Sequence, residues 1–191
     1  MEMLIKRVWA MPNKWTFKIK PIAELVEKYV RLSHPKGKFT GRRWIDPFCG
    51  KCEIAEFRND LNPDSVANYN LDAYDFVDLM QKKVRGKKIK KLRGIIFDPP
   101  YSLVQIKRSY EKYGIKSKLG FSTAGAEDPT GGWVPLKDKL AKMLRSGGYV
   151  ISFGWSSNGF GKKRGFEIVE ILLVAHGGNH NDTICVVEKK K

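Results

Sequence analysis

Asp98, Pro99, Pro100 and Tyr101 stand in a row, directly after the apolar run Gly94-Ile95-Ile96-Phe97. A buried strand that ends this way presents a carboxylate, two rigid rings and an aromatic face at one point. Proline fixes its own φ, lacks an amide donor and biases the residue before it toward extended backbone. The carbonyls of such a turn face outward with no neighbouring N–H to compete for them. A planar base with an exocyclic amino group needs this set: two acceptors for its N–H bonds and a ring to stack on. The competing reading is a proline-rich turn with Tyr101 as a surface aromatic. It gives no reason for other motifs to agree in order and spacing.

The tetrapeptide resembles the catalytic motif of amino-group methyltransferases that use S-adenosylmethionine, above all small DNA adenine-N6 methyltransferases such as those carried by phages. Serine in first position is more usual for cytosine-N4 enzymes, so Asp98 points to adenine. The resemblance implies that Asp98 and the Pro99 carbonyl accept the two N6–H bonds, that Pro100 stiffens the turn, and that Tyr101 stacks on the base. It also implies that the base leaves the duplex stack before reaction.

Arg43-Trp44-Ile45 leads into Asp46-Pro47-Phe48-Cys49-Gly50, a short strand and a tight turn. The resembled family has its first cofactor loop here. Glycine lets backbone approach a ligand closely, and Phe48 can close over it. The family's second glycine, two residues after the first, is Cys52 in this chain. Further on, Glu56 to Pro63 reads as a second strand ending in an acid, then a turn. An acid at that place binds the ribose diol in doubly wound nucleotide folds, which assigns Asp60, with Leu61 against the adenine ring. An Asn/Asp-Pro turn without a ligand is the alternative. Asn68 to Ala73 reads as a third short strand, and a helix follows from about Tyr74 to Lys83. The resemblance gives Asp72, beside Ala73, the cofactor's adenine amino group; the same residue fits as N-cap of the helix. It also gives Phe17, in Trp15-Thr16-Phe17-Lys18, to the methionine end of the cofactor.

The chain has 191 residues, enough for one domain with a full core. Lys and Arg number 36 against 20 acids, a surplus of 16. Counterion release then favours a polyanionic partner, and nucleic acid fits best. A basic ribosome-associated or membrane-surface protein would share that charge. No apolar run is long enough to span a bilayer, and Met1 to Trp15 has no signal-peptide core, so a cytoplasmic protein is expected. Three cysteines, Cys49, Cys52 and Cys185, imply no disulfide framework. Cys49-Gly50-Lys51-Cys52 is formally a metal or redox spacing, but no second pair completes a zinc site, and no metal is expected.

Lys82 to Arg93 carries eight basic residues. Ligands of open α/β sheets sit at the carboxyl ends of the strands, and this run lies before a strand begins, so it reads as a solvated loop. Residues 102–132 leave from the carboxyl end of the catalytic strand and interleave charge with aromatics, Lys107, Arg108 and Lys112 among them. They are the candidate target-recognition insert. Trp133 to Ser146 reads as a helix stopped by Gly147-Gly148. Tyr149–Phe153, Phe166–Ala175 and Thr183–Glu188 read as strands. The last two flank a hairpin loop in which Asn179 and His180 are candidate base contacts.

The expectation is an α/β, Rossmann-like class I methyltransferase domain over 1–191: a seven-stranded, mostly parallel sheet with a C-terminal antiparallel hairpin strand and helices on both faces. Its expected cofactor is S-adenosylmethionine and its partner duplex DNA, acted on by a monomer. The rivals are an RNA (adenine or guanine-N2) methyltransferase and a non-catalytic basic DNA-binding protein on a degenerate methyltransferase fold.

Overall fold

The structure is a computed structural model that describes residues 3–101, 105, 107, 111–114 and 133–191. In chain order it contains β1 (Leu4–Trp9), α1 (Lys20–Ser33), β2 (Trp44–Asp46), β3 (Phe57–Arg58), α2 (Ala73–Arg85), β4 (Leu92–Phe97), α3 (Val134–Met143), β5 (Leu144–Gly154), β6 (Phe166–Ala175) and β7 (Thr183–Lys190). They form a seven-stranded sheet in the order β1-β6-β7-β5-β4-β2-β3. Only β7 runs antiparallel to its neighbours, β5 and β6. The carboxyl ends of β1 to β6 therefore share one edge of the molecule.

A strand's side chains alternate between faces, and both faces here are covered, which is why its strands read as unbroken apolar runs. Ile45, Ile95 and Val150 pack against α2 and α3, whose buried residues include Phe76, Val77, Met80, Leu136 and Leu140. Their chain neighbours Trp44, Ile96 and Ile151 pack on the other face against α1, through Ile22, Leu25, Val26, Tyr29 and Val30. Gly94 makes this second layer possible. A Cβ there would lie 2.2 Å from the Trp44 ring, whose Nε1 donates to Ser33 Oγ at 2.9 Å. α2 follows the charge rule for helix ends, with Asp75 in its first turn and Lys82, Lys83 and Arg85 in its last.

The sheet size, the antiparallel last strand and the helices on both faces match the sequence reading. Three elements differ. The strand expected over Asn68 to Ala73 is reduced to an isolated bridge between Asn59 and Tyr69. Side-chain amides replace the ladder: Asn59 bonds Pro47 O, Leu71 O and Leu71 N, and Asn70 bonds Asp60 O and Asn62 O. The seventh strand is instead β1, beside β6 at the far edge. It is exposed along most of its length, so it shows no buried-face alternation (Ile5 is 57% exposed). Finally, the helix expected to Ser146 ends at Met143, and Leu144 already pairs with Leu92 as β5. The Lys190 ammonium takes up the carbonyls of Ala141 and Leu144 at this junction.

No described helix is long and apolar enough to cross a membrane. Among the described residues no cluster of three or more His, Cys, Asp or Glu side chains could hold a metal ion.

Candidate active site

Two strand ends build the site. At the end of β2, Asp46 is fully buried. Its Oδ1 accepts from Phe48 N at 3.0 Å, while Oδ2 is buried with no partner among the described residues. Burial pushes this carboxyl well above the usual range, and the carboxylates of Asp98 and Asp60 push it further. The turn that follows needs glycine at one point: Gly50 has φ +51°. Its amide donates to Asp60 Oδ2 at 2.8 Å, and Asn62 N donates to Asp60 Oδ1 at 2.9 Å. Asp60 thus ties the turn to the chain after β3, and each of its oxygens keeps a lone pair for a further donor.

Cys49 and Cys52 flank that glycine and both are buried. Burial, aided by Asp46, pushes the Cys49 thiol up to about 12 and raises that of Cys52 as well. Both are neutral thiols at physiological pH. Cys52, where the resembled motif has glycine, packs with the α1 layer and also borders the cleft.

At the end of β4 the Tyr101 hydroxyl donates to Asp98 Oδ1, and Tyr101 N donates to Gln105 Oε1 at 2.7 Å. The Thr16 side chain is hydrogen-bonded to the same carboxyl group and to Tyr101. Burial raises Asp98 above the ordinary carboxyl range, against the opposing pull of the Tyr101 and Thr16 hydrogen bonds. Tyr101 is held in its neutral form by burial and by Asp98. Its ring meets that of Trp155, just past the end of β5, edge-on at 5.7 Å.

Three cavities converge on Asp98–Tyr101. The first, about 350 Å³, lies between Trp15–Lys18 and the turn Phe48–Ile54, with Asp98 at its end. The second, about 370 Å³, is bordered by Pro47, Phe48, Gly50, Asp60, Leu61, Ala73, Gln105, Tyr113, Trp133 and the whole tetrapeptide. The third, about 300 Å³, lies across Pro99 and Pro100 and is walled by Tyr101, Trp133, Lys137, Ser152 and Trp155.

The fold therefore gathers most of the residues singled out in the sequence: Phe17, Pro47, Phe48, Cys49, Gly50, Asp60, Leu61, Ala73, Asp98, Pro99, Pro100 and Tyr101 all border the first two cavities. Asp46 lies beneath them. Asp72 borders neither cavity; it caps α2, its Oδ1 accepting from Tyr74 N at 2.8 Å. Asn179 and His180 are exposed at the β6–β7 turn, on the cleft's edge of the sheet but outside all three cavities. Lys107 is exposed and paired with Glu111 at 3.6 Å, and Lys112 is exposed with its ammonium over Tyr113. Arg108, like most of the 102–132 insert, lies outside the described residues.

Five residues were not assigned from sequence: Trp15, Thr16, Trp133, Ser152 and Trp155. Trp155 carried a usable signal, an aromatic one residue beyond a parallel strand's carboxyl end. Thr16 carried none, because its role depends on a contact with a residue 82 positions away (16 against 98).

No protein-family model and no curated protein matches this chain. Solved structures are similar to it at low identity. TrmN from Thermus thermophilus has a TM-score of 0.47 and 15% identity, over 91% of this chain and 49% of that one. A candidate SAM-dependent methyltransferase from Streptococcus mutans gives 0.44 and 14%, over 83% and 47%. A candidate rRNA-methylase from Clostridium thermocellum gives 0.43 and 14%, over 94% and 100%. The chain spans about half the length of the first two. The fold class rests on the strand order and the two packed layers described above.

Proposed function

We propose that the protein is an S-adenosylmethionine-dependent methyltransferase acting on the N6 amino group of adenine in duplex DNA, as a monomer, with the target base turned out of the stack. One observation carries the reading: the Asp98–Tyr101 turn is the shared wall of a nucleotide-type cleft and of an aromatic cavity. Asp98 opens on the cleft and Pro99, Pro100 and Tyr101 border both spaces, so a base amino group held at the tetrapeptide would meet a methyl group presented from the cleft.

The cleft suits the cofactor by its charge. In a chain with a surplus of 16 positive charges, Asp46, Asp60 and Asp98 stand together at the ends of β2, β3 and β4, and Asp46 Oδ2 has no partner among the described residues. A ligand bearing a sulfonium and an ammonium relieves such a cluster. Asp60 would hold the ribose hydroxyls, Leu61 and Ala73 the adenine, and Phe17, Phe48 and Gly50 the methionine end. When bound, the cofactor supplies an electrophilic methyl group.

The chain's own residues do the rest. Asp98 and the outward Pro99 carbonyl accept from the base amino group and fix its lone pair in line, which lowers the barrier by orientation and by a preorganised acceptor. Because the Tyr101 hydroxyl already bonds Asp98, the arriving amino group competes for a carboxylate held in place by Tyr101 and Thr16. Trp155 and Trp133 wall the space a flipped base would enter, and Ser152 Oγ, buried there without a partner among the described residues, can bond the base edge. Adenine N6 is unprotonated at neutral pH, so no base is required before attack. As the N–C bond forms, the methyl–sulfur bond would break to leave S-adenosylhomocysteine, and the proton shed by the methylated amino group would pass to Asp98.

The test is incubation of the purified protein with unmethylated DNA and labelled S-adenosylmethionine, followed by nuclease digestion and mass spectrometry. N6-methyladenine is the expected product. Label in RNA, or as N2-methylguanine, would transfer the reading to the RNA rival.

A further inference from the structure

The amino ends of the strands, opposite the cleft, carry a feature that methyl transfer does not use. Arg43 precedes β2, Arg93 is the second residue of β4 and Arg145 the second of β5. Leu92 pairs with Leu144, Trp44 pairs with Gly94, and Arg93 N donates to Arg43 O at 2.7 Å. The pairing therefore brings three arginines together at the amino ends of three adjacent strands, where the β4–β5 register shifts between Leu92 and Gly94, with Arg42 alongside. Like charges gathered in this way repel one another.

None of the four arginines forms a side-chain salt bridge among the described residues. Glu56, the one acid that acts on Arg43, spends Oε2 on the Arg43 amide at 2.5 Å. Arg43 Nη1 and Arg145 Nη2 reach only carbonyls, those of Lys91 and Ser33. Arg93 Nε and Nη1 and Arg145 Nε are buried and meet no acceptor among the described residues. A buried charged donor left unbonded is costly, and three in one row are not a by-product of packing. Arg43 itself sits at φ +65°, unfavourable for a residue with a side chain. His34, at the end of α1, lies in the field of Arg93, Lys38, Lys36 and Arg42, and burial and these cations push its imidazole toward the neutral form.

We propose that Arg43, Arg93 and Arg145, with Arg42, form a phosphate-binding site at the amino end of the sheet, remote from the Asp98 cleft. Planar guanidinium forks match the oxygens of a phosphate and bond them in pairs. The ligand is a phosphate oxyanion, taken either from a nucleic-acid backbone or free in solution. The site absorbs one end of the basic run Lys82–Arg93, and its existence does not depend on methyl transfer.

Thermal unfolding in inorganic phosphate, compared with chloride at matched ionic strength, tests it. Phosphate should raise the wild-type midpoint. Arg93→Gln and Arg145→Gln should abolish that rise, with unfolding midpoints in chloride no lower than the wild type's because repulsion is relieved. Arg93→Lys, which keeps the charge without the fork, should retain only part of it. Arg7→Gln, which removes the same charge from exposed β1, should keep all of it. Binding of a short single-stranded oligonucleotide separates the two sources. A fall of about tenfold in Arg93→Gln, the worth of one charge-assisted bond, identifies a backbone phosphodiester. Oligonucleotide affinity equal to that of Arg7→Gln, with the phosphate effect lost, identifies free phosphate. If phosphate protects the wild type no better than chloride does, and Arg93→Gln matches Arg7→Gln in oligonucleotide affinity, the site does not exist.

Discussion

The two ends of the sheet hold opposite charge clusters, and they are held differently. At the carboxyl end Asp46, Asp60 and Asp98 are bound by donors that belong to the fold: Phe48 N, Gly50 N, Asn62 N, the Tyr101 hydroxyl and Thr16. At the amino end, among the described residues, the guanidiniums of Arg43 and Arg145 find one carbonyl each and that of Arg93 none. The acids are thus preorganised, as a reacting centre requires, with Asp60 and Asp98 bordering the cleft and Asp46 buried beneath it. The arginines are gathered but under-bonded, as befits a binding patch whose missing partner is an anion. Like charges meet at both ends, and at the carboxyl end two cavities border them.

The largest effect is expected from Asp98→Ala. Loss of one preorganised charged acceptor costs on the order of 100-fold or more in rate, while binding of S-adenosylhomocysteine should be nearly unchanged. Single-turnover methyl transfer and calorimetry check the two halves. Near-normal turnover would remove Asp98 from catalysis. A related sign follows from burial. Because the Asp98 carboxyl is raised, wild-type activity should fall on acidification at a higher pH than an ordinary carboxylate would give, and the fall should be absent from the residual activity of the variant.

Smaller changes come from two acids that look alike in sequence. Asp60→Ala removes the acceptor for Gly50 N and Asn62 N and one expected ligand contact. Affinity for S-adenosylhomocysteine should drop by roughly 0.5–1.5 kcal/mol per lost bond. Asp72→Ala removes a helix cap, worth about 1 kcal/mol of stability, and should leave ligand affinity much closer to wild type. Equal losses of affinity in both variants would show that Asp72 reaches the cofactor after all.

That pair also shows what was readable in the sequence. Asp98–Tyr101 and Asp46–Gly50 were legible because local chemistry sets their geometry: prolines and a glycine restrict the backbone wherever they occur. The layers were legible too, through runs such as Gly94–Phe97 and the spacing of Phe76, Val77 and Met80. Asp60 and Asp72 were harder to tell apart, since either could follow a strand. Which one faces the cleft depends on Asn59 and Asn70, whose side chains break the expected third strand. β1 was not legible because an exposed edge strand has no buried face to impose a pattern. The arginine row was not legible because Arg43, Arg93 and Arg145 are brought together only by strand register.

The subtlest expected effect separates the two ends by pH. Asp46 Oδ2 has no partner among the described residues, and burial raises its folded-state carboxyl well above the value of about 3.9 for a free side chain. Between those two values the folded state binds more protons than the unfolded state, so stability falls as pH rises. The stability that Asp46 contributes is complete below about pH 4 and is lost as pH climbs through the raised folded value. Asp46→Asn keeps an oxygen for Phe48 N and removes the titration. Its unfolding midpoint should lie close to wild type near the acid limit and gain on it steadily toward neutrality. Arg93→Gln at the other end should show the opposite and weaker trend, because its titrating neighbour is His34, whose protonation on acidification is opposed by the Arg93 cation in the wild type alone. Burial and neighbouring cations lower Arg93, but a guanidinium keeps its proton throughout this range, so the slope comes from His34 and not from Arg93 itself. A flat difference for Asp46→Asn would mean that water or a neighbouring donor satisfies Oδ2. A gain for Arg93→Gln that grows toward neutrality, as for Asp46→Asn, would place a titrating acid within the arginine row.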